Sequence, residues 1–267
     1  MPWLDPDGEE PLVGSLAVNP ADGALWMSTN NGLYRVRRAG ARAQRVTGTL
    51  VVPGAAGRIS EQLVVRFTGP NELLASGHPG GAQGGLPPVL GLLRSKDAGA
   101  SWSAVSELGK ADFHAIETSG GRVIGALFGA SQVLVSYDEG RSWQGRSAPA
   151  VLTDLAVHPS DPARWVTSAE DGVFVSGDEG GTWRPVDETP GSYLAWPAPD
   201  ALYRIDPGGA VLRSGDGGRA WEEVGSAGGD PLALVADDAQ TLYAALPDGS
   251  VRRSDDGGRT WREYLGA

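Results

Sequence analysis

The sequence predicts an all-β chain, a six-bladed β-propeller of four-stranded antiparallel blades with Asp-bearing turns. Three observations carry that expectation. The octet SGDEGGTW (176–183) recurs as SKDAGASW (95–102), SYDEGRSW (136–143), SGDGGRAW (214–221) and SDDGGRTW (254–261), at steps of 41, 40, 38 and 40 residues. A near-constant step of that length marks an array of small supersecondary units. The 40 Gly and 19 Pro among 267 residues demand many turns, and no stretch sustains helical periodicity. The apolar runs, among them RWVTSA, GVFVS and TLYAAL, are short and rich in β-branched or aromatic residues, as strands are.

One complete unit runs from Val151 to Asp187. LTDLAVH reads as a first strand, PSDPA as a turn, RWVTSA as a second strand, EDG as a hairpin turn and VFVS as a third strand. GDEGG then turns the chain into a fourth strand, TWRPV. Four short strands per repeat make one propeller blade. The same order places the blades at about 12–52, 58–107, 112–148, 151–188, 192–225 and 231–265 of a single domain, 1–267. Blade 1 keeps three strands in GSLAVNPADGALWMSTNNGLYRV, but its octet has decayed to VRRAGARA (36–43). Blade 2 carries one long insertion, GHPGGAQGGLPPVLG (77–91). No strand is left over for the first and last blades to share, and whether residues 1–10 pair onto an edge stays open.

Composition removes several function classes. The absence of Cys excludes disulfides and thiolate chemistry. A net charge of −11 argues against nucleic acid and anionic membrane surfaces as partners, and no apolar run is long enough to span a bilayer. MPWLDPDGEE has neither a basic start nor an apolar run, so no secretion signal is read in it. The compartment stays open between the cytoplasm and export with the leader removed. GGAQGG lacks the Lys and following helix of a phosphate loop, and no cofactor motif is found.

The recurring octets read as structural staples. Asp97, Asp138, Asp178, Asp216 and Asp256 are placed to accept turn amides. Gly99, Gly140, Gly180, Gly218 and Gly258 allow a positive φ. Trp102, Trp143, Trp183, Trp221 and Trp261 are expected to be largely buried as wedges between blades. Chemistry needs one site, whereas this motif recurs around the ring.

The pattern S-x-D-x-G-x-[ST]-W resembles the Asp box of bacterial-neuraminidase repeats, in the sialidase-like and WD40/YVTN-like propeller superfamily, and it covers blades 2 to 6. The resemblance implies boxes on the third-to-fourth-strand turns, opposite the functional face. With LASGHPG (74–80) and ADFHAIE (111–117), the chain is similar to bacterial six-repeat propellers labelled glycosylhydrolase or sialidase-like. The arginine motif F/Y-R-[IL]-P of sialidases is absent; VRFTGP and LYRID are the nearest text. A glycosidase of another kind still needs two facing carboxylates.

The innermost strands share one variable residue ahead of an apolar–Ala–apolar core: Ser15, Asp154, Tyr193, His114 if HAIE is aligned, and Pro231. Blade 2 is ambiguous between Gln62 and Val64. His78, Asp112, His114, Asp154 and Tyr193 are therefore the expected ligand contacts at the non-box mouth of the central channel, with the 77–91 loop partly roofing it and GGAQGG its most mobile part. Glu61, Glu170, Asp171, Asp206, Asp230 and Asp248 make the same face acidic. His78 and His114 are metal candidates one ligand short of the usual three, and His158 reads as structural on the box face. The leading function is a rigid module binding a small molecule, glycan or peptide. The alternatives are a glycan hydrolase or lyase with Asp112, His114 and Asp154 as acid/base candidates, and an assembly platform for a protein partner.

Overall fold

The computed structural model describes residues 11–46, 48–59, 62–80 and 85–266. Residues 1–10, Glu61 and the centre of the glycine-rich insertion, residues 81–84, lie outside them. Six sheets follow one another along the chain, each built on four antiparallel strands that run up and down between neighbours. Blade 4 shows the unit: Leu152–Val157, Trp165–Ala169, Gly172–Ser176 and Arg184–Asp187. Its second strand is buried at every residue because it lies between sheet neighbours and between blades, whereas the outermost strand is exposed or half-buried. Gly172 opens the third strand at φ 126°, and a Cβ there would meet Asp187 O at 2.2 Å, so only glycine fits.

The six innermost strands, Val13–Val18, Leu63–Gly69, Phe113–Ser119, Leu152–Val157, Tyr193–Ala198 and Ala233–Ala236, ring a central channel. Apolar clusters fill the seams between blades. Trp102 is buried among Trp26 and Leu33 of blade 1 and Leu50. Trp143 packs against Leu92 of blade 2 and donates its indole N–H to Ser106 Oγ at 2.9 Å. Trp183 packs on blade 3 and donates to Ser147 O at 3.0 Å. Trp221 lies against Val166 and Val173 of blade 4, and Trp261 against Ile205 and Val211 of blade 5. Each thus seals the seam with the preceding blade. Only Trp102 is fully buried; the other four keep an exposed edge because they lie beside a turn at the rim of the seam. The sixth seam, where blade 1 has no octet, is filled by Tyr34, Tyr243, Tyr264 and Leu265, with the Tyr243 and Tyr264 rings edge-to-face at 5.0 Å.

Within each octet the serine shares the work assigned to aspartate. In blade 4, Ser176 Oγ accepts the Gly180 amide at 2.9 Å and donates to Asp178 Oδ1 at 2.8 Å. Asp178 then accepts the Thr182 amide and hydroxyl, each at 2.8 Å. The same Ser–Asp–Gly pattern holds at Asp97, Asp138, Asp216 and Asp256. All five octets join third to fourth strands and therefore share one face.

The chain departs from the sequence expectation at the end of blade 1. Its outer strand is Gln44–Val46, while Thr49–Val52 leaves blade 1 and pairs in parallel with Ser101–Ser106. Ala55–Arg58 follows as a hairpin, so the second sheet has six strands. The cause is Trp102. The chain crosses its indole at Gly48, where a Cβ would lie 2.3 Å from Nε1, and Leu50 then buries itself beside the ring.

Candidate functional site

Strand pairing gives the register that aligns the blades. Ser15, Val64, Ala115, Asp154, Tyr193 and Ala233 occupy one equivalent position, opposite Ser28, Ser76, Ala126, Ser168, Ile205 and Ala245 of their second strands. His114 and Pro231 are therefore not the counterparts of Ser15. In blades 1, 3 and 4 the inner strand carries a bulge, whose extra residues are Gly14, His114 and Thr153. A bulge re-aims the side chain it inserts, and all three line the mouth.

The mouth is a cavity of about 470 Å³ bounded by the starts of the inner strands, with His78, Asp112, His114 and Tyr193 on its wall. His78 Nε2 and His114 Nε2 each lie 3.2 Å from the same oxygen, Asp112 Oδ2. Burial opposes the charge of Asp112, but His114 and His78 outweigh it and hold the carboxyl below its ordinary range. His78 Nδ1 also lies 2.8 Å from Pro88 O. A carbonyl and a carboxylate only accept, so His78 makes both contacts together only when doubly protonated. His114 stacks on Phe128 at 4.1 Å between centroids, and the Phe128 amide donates to Asp112 O at 2.9 Å.

Of the 77–91 insertion, Gly77 and His78 are the described residues that line the mouth. Gly85 lies against Ala55, and Leu86 joins the apolar cluster around Trp102. Gly85 and Leu86 thus lie outward over blade 2, towards the added hairpin, while residues 81–84 of the expected roof lie outside the described residues. The segment expected to be most mobile, GGAQGG, lies mostly outside the described residues.

Below the mouth the channel narrows to a cavity of about 130 Å³, lined by Arg66, Glu117, Asp154 and Tyr193 among others. Asp154 is held as a staple. Its Oδ1 accepts the Leu155 amide and its Oδ2 the Leu194 amide of the next blade, both at 2.8 Å. Ser15 Oγ does the same for Val65 at 3.2 Å. Burial outweighs those two amides and, with the Glu117 charge adding to it, pushes the Asp154 carboxyl up to about 7. Burial and then the Asp154 charge raise the Tyr193 phenol.

Sequence reasoning missed Arg66 and Glu117, which form a 2.8 Å ion pair inside the channel. Burial raises Glu117 in spite of Arg66. A signal was present: the two are register equivalents in neighbouring blades, where the other blades have Ala17, Ala156, Ala195 and Val235.

The remaining acidic residues divide. Asp206 is buried against Arg204, Asp230 accepts the Gly208 amide, and Asp248 accepts the Ser250 amide. Glu170 and Asp171 form the second-to-third-strand turn of blade 4. Glu61 lies outside the described residues. His158 is buried on the box face and accepts the Ser160 and Asp161 amides. Among the described residues no group of three or more His, Cys, Asp or Glu is placed to hold a metal ion, and no helix is long and apolar enough to cross a membrane.

No family model and no curated protein matches the chain. Solved structures do. YCF48 from Cyanidioschyzon merolae is similar over 95% of this chain and 85% of its own, at 16% identity and a TM-score of 0.56. A structure described as YCF48 bound to D1 peptide is similar over 95% and 82%, at 21% identity and a TM-score of 0.56. The GH74 xyloglucanase from Xanthomonas campestris matches 95% of this chain at 22% identity and a TM-score of 0.56, but only 38% of its own length is covered. At these identities the likeness extends to architecture. The chain is a six-bladed, all-β propeller of four-stranded antiparallel blades.

Proposed function

We propose that the chain is a rigid Asp-box binding module that takes an extended peptide segment at the non-box mouth of its channel. One observation carries this reading: a cavity of about 470 Å³ whose wall presents Asp112, His78 and His114, fixed against one another at 3.2 Å, on a ring of strands. Preorganised polar groups in a concave site are what a binding pocket requires. Support for a peptide comes from the similar propeller described as bound to one, of which this chain covers 82%.

The channel carboxylates speak for binding over hydrolysis. Asp154 is held by two amides and Glu117 by Arg66, so neither is free to attack or to activate water. A second reading, glycan hydrolysis, has one observation in its favour: a carboxyl pushed up to about 7 suits a general acid. Reducing-end assays on a polysaccharide panel separate the two. Turnover that is lost in Asp154→Asn supports hydrolysis.

The direct test is selection of a displayed random peptide library on the wild-type protein and on Asp112→Asn. Peptides enriched on the wild type and lost on the variant support the mouth as a binding site. Peptides retained equally by both, or none above background, contradict it.

A further inference from the structure

We propose that Phe128 and His114 form an aromatic step that seats an arginine side chain of the bound segment, its guanidinium lying on the Phe128 ring. The proposal rests on the peptide reading above and names the residue class that the mouth selects.

Four large apolar side chains stand exposed among the described residues: Leu12, Val51, Phe128 and Tyr137. Tyr137 is engaged on the box face, where its hydroxyl donates to Glu179 Oε2 and its ring lies under Arg122. Val51 lies on the added outer hairpin. Phe128, 65% exposed, has no such occupation. It stands at the end of the second strand of blade 3, on the mouth face. Its main chain is tied to Asp112, and one face of its ring rests on His114. His114 is fixed in turn by Asp112 and by the bulge that aims it inward. A phenyl ring held so firmly at 65% exposure forfeits the burial that would stabilise it, so its free face is available for contact.

The surroundings choose the occupant. Asp112 Oδ1 is buried and makes no hydrogen bond, while Oδ2 takes both histidines. The connections on this face carry Asp112, Glu170, Asp171, Glu188, Asp230 and Asp248 against Lys110 and a doubly protonated His78. The field over the mouth is therefore negative. A flat cation satisfies both features together: an exposed aromatic face and a negative potential. Guanidinium stacks on rings, whereas an ammonium is a compact, strongly hydrated point charge.

The test uses probes that do not depend on any selected peptide. The intact protein is titrated with N-acetyl-arginine amide and, separately, with N-acetyl-lysine amide, following the His114 and Phe128 ring resonances by NMR. Shifts at both rings with the arginine probe, at least fivefold weaker with lysine, are expected. Phe128→Ala abolishes the His114 shift and Phe128→Tyr restores it; the exposure of Phe128 predicts an unchanged thermal midpoint for both variants. Equal response to the two probes, or undiminished binding by Phe128→Ala, overturns the proposal. Mouth-binding peptides that lack arginine and ignore Phe128→Ala would also overturn it while leaving the peptide reading intact. Absence of any mouth-binding peptide would instead remove the reading beneath it.

Discussion

Replacing Trp102 with alanine empties the seam between blades 1 and 2. The indole is 5% exposed and touches a cluster built from both blades, Trp26, Leu33 and Leu50 among them. Full truncation of a buried Trp costs about 3–5 kcal/mol. For a chain of this size each kcal/mol lowers Tm by about 2–4 °C, so a fall of roughly 10 °C is expected. Trp183 supplies the internal control. It sits at the same octet position, but its ring keeps an exposed edge and contributes an indole bond to Ser147 O at 3.0 Å. Less area leaves water's reach there, and Trp183→Ala is expected to cost about 2 kcal/mol. Chemical denaturation of both variants, with the m-value monitored, gives the comparison. A Trp102→Ala protein within 1 kcal/mol of wild type, or a Trp183→Ala protein that loses more than it, would refute the wedge argument.

Ser136→Ala removes the buried hydroxyl that accepts the Gly140 amide at 2.8 Å, and denaturation should show a loss of about 1–3 kcal/mol with peptide binding unchanged. Below pH 4 the octet carboxylates set the acid limit: their folded pKa values are depressed, that of Asp256 to about 2. The stability they contribute is present above the unfolded carboxylate range and drains away as pH falls towards 2, which an acid titration followed by tryptophan fluorescence checks. Asp154 has the opposite sign. Its pKa is raised to about 7, so the stability it contributes falls as pH rises from about 4 through 7 and is level above. Asp154→Asn should lose that slope, and an unchanged pH profile would contradict the assignment. Asp112→Asn leaves His78 and His114 without their shared carboxylate and should weaken selected peptides at least tenfold by calorimetry while Tm changes little.

The octets made the ring legible because a period near 40 residues survives in the sequence even where blade 1 has lost its copy. The role of the aspartates was legible too, but not the equal share of Ser95, Ser136, Ser176, Ser214 and Ser254, since a serine reads as any turn residue until its oxygen is seen under the glycine amide. The transfer of Thr49–Val52 to the next sheet was hidden because it depends on a contact with Trp102, more than a full repeat downstream. At the mouth, strand alternation put His78 and His114 on one face. Their meeting on one oxygen of Asp112 required side-chain geometry that no spacing encodes. A bulge shifted His114 by one place, and bulges leave no mark when the inserted residue suits either register. Arg66 and Glu117 lie deeper in the channel than the variable residue at each inner-strand entry, two positions beyond the register equivalents Val64 and Ala115, where the other blades carry only small apolar residues.

Transferred cross-saturation NMR with a selected peptide tests the central claim most directly, because it maps the contact surface without assuming a site. The account predicts saturation at Gly77, His78, His114 and Tyr193, around the mouth cavity, and none at the octet turns. Saturation centred on Asp97, Asp138 and Asp178, or confined to the outer strands of the ring, would contradict it.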